Sequence, residues 1–515
     1  MPLPERNAQW PPAEWAPQAA QIALDRLWLV GPAAAAASSS TNELGWLRAS
    51  IVKMLKIDAR TGTTDDANRQ HVPLPRLIAA TSASLLFSEP PSLVIPEAHE
   101  TEVGEDGRER PPTTEQLAAQ AVEDQLTAWM GDDGGWTAKL LQGAFIASGL
   151  GGVLLRPTWG TPSGRVQLDV IHADRFVPRF VHGELDGVVI ATTVERSPDG
   201  SSLLHLEDHE RGRVTHGLYR VRGGQLADRL DLGASKATAS LAADKDGVLD
   251  LRPLIDDRLL PDYVPNWLPH VVTLDPNIGS ADTAGLYDRL SALDRAATAW
   301  DTDVDLGEAI MIVPDQFLTR SGQGNGAAFD RKQRIFSPVP VGALDDAAAT
   351  MQFVQADVRS DAFGAAKTDI GVEVSLAAGY NPESIDWQNA GGGEMTATEV
   401  LARDARSRDT TMAKRRYWGR AMVSSAEKCL LIDAKVYSSG LTPMRPVVEW
   451  PSVQEQDMRE MASTLHLLNL SGSISTKEKV RMMHPDWSTT RIEAEAQAIL
   501  DEQNAGVPDP TGGFL

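Results

Sequence analysis

A single cysteine, Cys429, stands in a chain of 515 residues, so an intrachain disulfide is excluded. Such thiol poverty fits a reducing assembly environment and not a disulfide scaffold. Positive charge is also scarce. The chain carries 48 Lys and Arg against 71 Asp and Glu, a formal net charge of −23. That balance argues against a free-standing nucleic-acid binder, which shows a basic footprint, and opposes non-specific sticking to DNA or anionic membranes. No run of about 18 apolar residues occurs, so no transmembrane helix is expected. The opening "MPLPERNAQWPPAEW" has neither a basic start nor an apolar h-region and does not read as a secretory signal. Internal repeats are missing too.

Catalytic signatures are equally thin. Neither G-x-x-x-x-G-K-[ST] nor G-x-S-x-G occurs. Gly322-x-Gly324-x-x-Ala327 follows a strand pattern, but the residues after it, "FDRKQRIF", do not form an amphipathic helix. Asp301-Thr-Asp303-Val-Asp305 begins like a calcium loop. Leu306 then stands where glycine makes the turn, and Ile312 where a bidentate Glu belongs. In His205-Leu-Glu-Asp-His209 two histidines lie four apart. Alternation with Leu204 and Leu206 is strand spacing, so His205, Glu207 and His209 read as a solvated face with no third zinc ligand. No catalytic residue, metal site or cofactor is expected, and Cys429 reads as a small core residue.

What is present is a hydrophobic content of 42%, enough for a large core; the length suggests about three or four domains. Helical spacing appears at 15–30 (Ala19, Ile22, Ala23, Leu27, Val30), at 43–57, and from 73 to a stop after Phe87, followed by a short strand at Leu93–Ile95. A charged loop at 98–112 precedes a helix at 113–130, with Leu117, Ala121, Leu126 and Trp129 near one side. A small-residue helix within 138–150 ends at Gly151-Gly152. From 151 to 255 the period becomes two, which predicts strands. Leu286, Leu290, Leu293, Ala297, Trp300 and Val304 form an apolar stripe that predicts a buried helix over 283–308. A strand within 309–318, a glycine loop at 321–326, and short strands with one helix over 331–380 come next.

The next segment, Thr396 to Val436, is anomalous. It opens on a capping box, Thr396-x-x-Glu399, and carries Trp418, Met422, Ala426 and Cys429 at helical spacing. Nine basic residues stand there against five acidic ones, a net +4 in an acidic chain. Either this helix is an ordinary solvated one or it faces something anionic. A strand at 445–450, a helix at 452–470, the turn "SGSIS", a final helical region and a polar tail at 503–515 complete the chain. The residues alone predict a multi-domain α+β protein without a legible active site.

Several stretches, in order, resemble the portal proteins of tailed double-stranded DNA bacteriophages. They are "LIAATSASLLFSEPPSLVI" (77–95), "GAFIASGLGGVLLRPTW" (143–159), "HADRFVPRFVHGEL" (172–185), "GLYDRLSALDRAATAWDTDVDLGEAIMIVPDQFL" (285–318), "TATEV" with its basic helix (396–420), and "SGSISTKEKVRMMHPDWSTTRIEAEAQAI" (471–499). Their collinearity carries the resemblance, since none is a chemical fingerprint. It implies a non-enzymatic, dodecameric ring at one capsid vertex of the virion, assembled in the host cytoplasm. Through the ring double-stranded DNA is packaged and ejected. The implied partners are the terminase large subunit, a head-completion adaptor, and the major capsid and scaffolding proteins, with no membrane. The implied parts are a wing at 1–395, stem helices at 396–436 and 452–470, a clip at 437–451, a tunnel loop at 471–477, and crown helices with a tail at 478–515. The region 314–395 is the alternative source of the clip face. Arg403, Lys414, Arg415, Arg416 and Arg420 become candidates for facing DNA or a neighbouring subunit. Ser471, Gly472, Ser473, Ser475 and Lys477 become tunnel-loop candidates. On this reading, replacing Lys414, Arg415 and Arg416 with Gln leaves folding intact. Another phage head or adaptor protein, or an acidic-site hydrolase, are the competing readings.

Overall fold

The computed structural model describes residues 3–31, 70–99, 111–306, 359–385, 397–451 and 474–505, short gaps aside, with strand pieces at 310–312, 319–320, 327–328 and 352–354. The expected helix at 43–57, the Gly322 loop, the Thr396 cap, most of 452–470 and the tail at 506–515 lie outside the described residues. The chain divides into two compact units, 1–449 and 450–515. No unit boundary falls at 395/396 or 436/437. The fold is α+β.

In the first unit, α1 (Ala16–Val30) buries Ala19, Ile22, Ala23 and Leu27, while Val30 is exposed. Helix α2 (Leu74–Phe87) stops ahead of β1 (Ser92–Val94). Helix α3 (Thr114–Met130) starts on a capping box. The Thr113 hydroxyl accepts the Gln116 N–H, and the Gln116 side chain accepts the Thr113 N–H. Its buried stripe is Ala119, Val122, Leu126 and Trp129; Leu117 and Ala121 face solvent, one step round the helix from the expected side. Helix α4 (Trp136–Leu150) lays a small-residue face against α2. It ends at Gly151, whose φ of 91° favours glycine.

Strands β2 (Gly152–Thr158) and β3 (Gln167–His172) pair antiparallel. A larger antiparallel sheet follows in sequence order: β4 (Phe176–Val181), β5 (Glu184–Arg196), β6 (Ser202–Glu210), β7 (Arg213–Arg222) and β8 (Gln225–Leu230), with β9 (Val248–Asp250) also on β7. After the short α5 (Arg252–Ile255), β10 (Asp262–Pro265) joins β2. An irregular loop at 266–280 is pinned to the end of α4. Asn266 N–H donates to the Gly151 carbonyl, and a Cβ on Gly279 would sit 2.0 Å from that oxygen.

Helices α6 (Tyr287–Leu306) and α7 (Ser360–Ala377) run antiparallel. Arg289 pairs with Glu373 at one end; Asp303 pairs with Arg359, and Lys367 lies over the Trp300 ring, at the other. One end is rooted in the core, where Leu290 and Leu293 meet Val374, Trp28, Leu74 and Ile78. The stripe therefore behaves as expected for its first turns and then emerges, for Val304 is exposed. Leu293→Ala is expected to cost about 2–5 kcal/mol in a urea titration, because the site is fully closed. A loss below about 1 kcal/mol would remove Leu293 from the core. The connection between the two helices contains two small antiparallel ladders, β11 (Ile310–Ile312) with β14 (Gln352–Val354), and β12 (Thr319–Arg320) with β13 (Ala327–Ala328).

Helix α8 (Ala397–Val436) is 40 residues long and packs on α2, α5, β2 and β10. Strand β15 (Val447–Glu449) returns to β1. In the second unit, α9 (Thr476–Met483) and α10 (Thr489–Ala505) bury Val480, Ile492 and Ala496 together. Ser475 caps α9 by accepting the Glu478 N–H, and Lys477, inside that helix, pairs with Glu493. The loop expected at 471–477 therefore ends at Ser475. Ser471, Gly472 and Ser473 lie outside the described residues.

Candidate functional site

Helix α8 presents two unlike faces. Ser407, Thr411, Lys414, Trp418, Met422, Ser425 and Cys429 follow one another at helical spacing and are all buried. Asp409, Met412, Arg416 and Arg420 lie on the exposed side. Helical geometry thus splits the basic residues into two populations.

Lys414 belongs to the buried one, contrary to the expectation that it faces DNA or a neighbouring subunit. Its side chain is 1% exposed and its partner Asp282 is 4% exposed. The ammonium donates to both Asp282 oxygens at 2.7 and 2.8 Å, to Ser82 Oγ at 2.9 Å and to Tyr380 Oη at 2.8 Å. Asp282 also accepts from Tyr380 Oη, Ser148 Oγ and Asn266 Nδ2. Burial pulls the Lys414 pKa down against the Asp282 charge, and pushes the Tyr380 phenol well up. An ion pair so buried survives only when its remaining polar valences are met, and here they are.

The same logic repeats along the helix. Lys428 donates to Asp262 at 2.8 Å and to the Leu260 carbonyl, while Ser424 and Ser425 donate to the same carboxylate. Lys435 donates to the Leu254 carbonyl. Arg406 donates to the Leu376 carbonyl, at the end of α7 where unmatched carbonyls concentrate negative potential. Arg415 is half-buried, and burial lowers its pKa against the pull of Glu89. Cys429 is closed off, and burial pushes its thiol well up, which leaves it inert. The Arg403 side chain lies outside the described residues. Much of the positive charge therefore fastens α8 to its own subunit.

Of the five candidates named from the sequence, Arg416 and Arg420 remain. They line a cleft of about 490 Å³ with Arg211, Arg258, Lys428 and Tyr417. Its other walls come from the β4–β5 turn, residues 259–265 and the 266–280 loop. Two carboxylates, Glu184 and Asp262, also line it, and Asp262 is already engaged by Lys428. Arg258 pairs with Glu427 at 2.9 Å and Arg211 with Asp186 at 3.7 Å, so what the cleft offers an anion is the charge of Arg416 and Arg420.

A second polar cluster corrects another expectation. His205 and His209 are buried, not solvated. Strand β2 reaches this face of β6 through Arg156. Arg156 of β2 donates to Glu207 at 2.7 Å and to Asp169 of β3 at 3.0 Å. The His205 ring stacks on His216, with Nε2 and Nδ1 3.2 Å apart. Among the described residues, no three His, Cys, Asp or Glu side chains converge as metal ligands do. Burial would raise the Glu207 carboxyl, but the His209 hydrogen bond and the Arg156 charge outweigh it and hold the group well below its usual range.

Burial lowers His216 to about 4 despite Glu207. Between an unfolded pKa of about 6.5 and that value, the unfolded chain takes a proton that the fold resists. This residue therefore subtracts stability as pH falls from about 6.5 toward 4, by up to about 3 kcal/mol. His216→Asn should lose about 2–3 kcal/mol less than the parent between pH 7 and 4.5 in paired urea titrations. Equal losses would show that His216 does not titrate in this way.

No helix among the described residues is long and apolar enough to cross a membrane. No protein-family model matches the chain, and no curated protein does. Among solved structures it is similar to a chain from the neck of an empty GTA particle computed with C6 symmetry. The identity is 12% and the TM-score 0.41, over 80% of this chain and 88% of that one.

Proposed function

We propose that this chain is the portal subunit of a tailed double-stranded DNA phage, a non-enzymatic conduit that works as a ring. The collinear resemblance supports the reading. The observation that carries it is the α6–α7 pair, rooted in the core at Leu290, Leu293 and Val374 and joined at its far end by an insert with two small ladders. A stalk with a terminal insert is what a stem and clip require.

The assignment of parts changes accordingly. Helix α8 is fastened to the body from its middle to its end by Lys414, Lys428 and Lys435, which suits a wing helix better than a free stem. We assign the stem to α6 and α7, the clip to the residues between them, and the crown to α9 and α10. Strand β15 then belongs to the wing, because it completes β1. DNA in such a ring makes only sequence-independent contacts, since phosphates carry no base information. Terminase, adaptor, capsid and scaffolding proteins are the proposed partners.

Negative-stain images of the purified protein should show rings with a central hole. A stable monomer at all salt and protein concentrations would sink the proposal, and an enzymatic activity in that monomer would favour the hydrolase reading.

A further inference from the structure

We propose that the arginine cleft and the apolar loop beside it form one half of a head-to-tail contact with a second copy of this chain, whose acidic surface the arginines receive. The inference rests on the ring reading above and names the surface that would build the ring.

Three observations point there. Arg416 and Arg420 lie one turn apart on the exposed side of α8, an arrangement of like charges that destabilises a helix unless something compensates. Neither side chain has a hydrogen bond or ion pair among the described residues, in contrast to Lys414, Lys428 and Lys435 on the same helix. Secondly, of the five cations lining the cleft, Lys428 pairs with Asp262, Arg258 with Glu427 and Arg211 with Asp186, which leaves Arg416 and Arg420 as its uncompensated charges among the described residues, in a chain of net charge −23. A second copy of the chain, with 71 Asp and Glu, supplies carboxylates of the opposite sign to these two arginines.

Thirdly, the loop that walls the cleft through Leu268, Pro276 and Asn277 offers apolar side chains to solvent. Trp267, Val271, Val272 and Leu274 are all exposed, Leu274 by 73%. The loop holds this shape through its own bonds. His270 Nδ1 accepts the Val272 and Thr273 N–H groups, the Leu274 N–H donates to the His270 carbonyl, and the His270 N–H donates to the Asp275 carbonyl. Leu274 itself sits at φ 56°, which a bulky side chain rarely adopts.

Phosphates would reward the arginines but not this apolar knob. Protein interfaces combine an apolar centre with arginine and aromatic residues. The receiving patch is cationic and the delivered one acidic, so the two halves are different surfaces of one chain. Such heterologous contacts close into rings when their rotation allows.

The test compares the parent with Arg416→Glu/Arg420→Glu, Arg416→Lys/Arg420→Lys and Leu274→Asp. All sites are exposed, and Asp tolerates a positive φ, so melting temperatures should match the parent. Ring fraction is read by negative stain and sedimentation across salt, and duplex binding by fluorescence anisotropy with a labelled DNA duplex. The expected result is rings in the parent that weaken with salt, a tenfold or greater rise in the protein concentration needed for rings in the Glu pair and in Leu274→Asp, and near-parent assembly for the Lys pair. Parent-like assembly of both the Glu pair and Leu274→Asp would overturn the inference while leaving the ring reading intact. Intact rings with lost duplex binding would assign the cleft to nucleic acid and overturn it as well. A parent that never forms rings would defeat the functional reading, and this inference with it.

Discussion

Lys414→Met is expected to destabilise the first unit by about 3–5 kcal/mol, measured by urea unfolding. The substitution keeps length and apolar volume, so the loss reports the charge. Asp282 would stay buried with its counter-ion gone, and Ser82 and Tyr380 would each lose a donor. Adding Asp282→Asn should recover part of the loss, because the two residues act as a unit. Fully additive losses would show that the pair is not coupled. The expected result also reverses the outcome predicted from sequence for Lys414, Arg415 and Arg416. The triple Gln variant should unfold more readily, and Lys414 alone should account for most of the change.

Trp418→Ala is expected to cost about 3–5 kcal/mol through packing alone. The ring is 1% exposed and meets Phe87 edge-on at 5.0 Å. Gly143 makes room for it, since a Cβ there would lie 3.0 Å from the indole. One side chain therefore joins α8, α2 and α4, and truncation leaves a cavity that three helices cannot all close. Thermal or urea unfolding with a loss under about 1 kcal/mol would mean the helices collapse into the gap.

How much of this was legible beforehand differs from residue to residue. Helix α8, its apolar residues and the burial of Cys429 follow from 3.6-residue spacing. So does the placement of Lys414, which stands four residues before Trp418 on the same stripe. What spacing cannot supply is its partner, because Asp282 lies 132 residues away. Counting charge over the segment blended a buried cation with the exposed Arg416 and Arg420, and so pointed at the wrong member of the cluster. The His205–His209 strand failed for a related reason. Alternation separates two faces but does not say whether water or a second sheet covers the polar one. Leu117 shows the limit at the scale of one helix, where a stripe misjudged by one position turns an exposed leucine into an expected core residue. The cleft was least legible of all, since Arg211, Arg258, Arg416 and Arg420 come from segments that only the fold brings together.

The asymmetric rooting of α6 and α7 makes the pair a lever. Its fulcrum is the apolar cluster around Leu293, and its arm runs on past Trp300 and Asp303, where solvent replaces core. From Leu293 to Leu306 the arm is about 20 Å long, so a tilt of about 10° at the fulcrum carries its tip about 3.5 Å. Arg289–Glu373 near the pivot and Asp303–Arg359 farther out link the two helices along the arm. A force applied at the inserted strands would bear on Trp28, Leu74 and Ile78, the residues against which the root of the pair is packed.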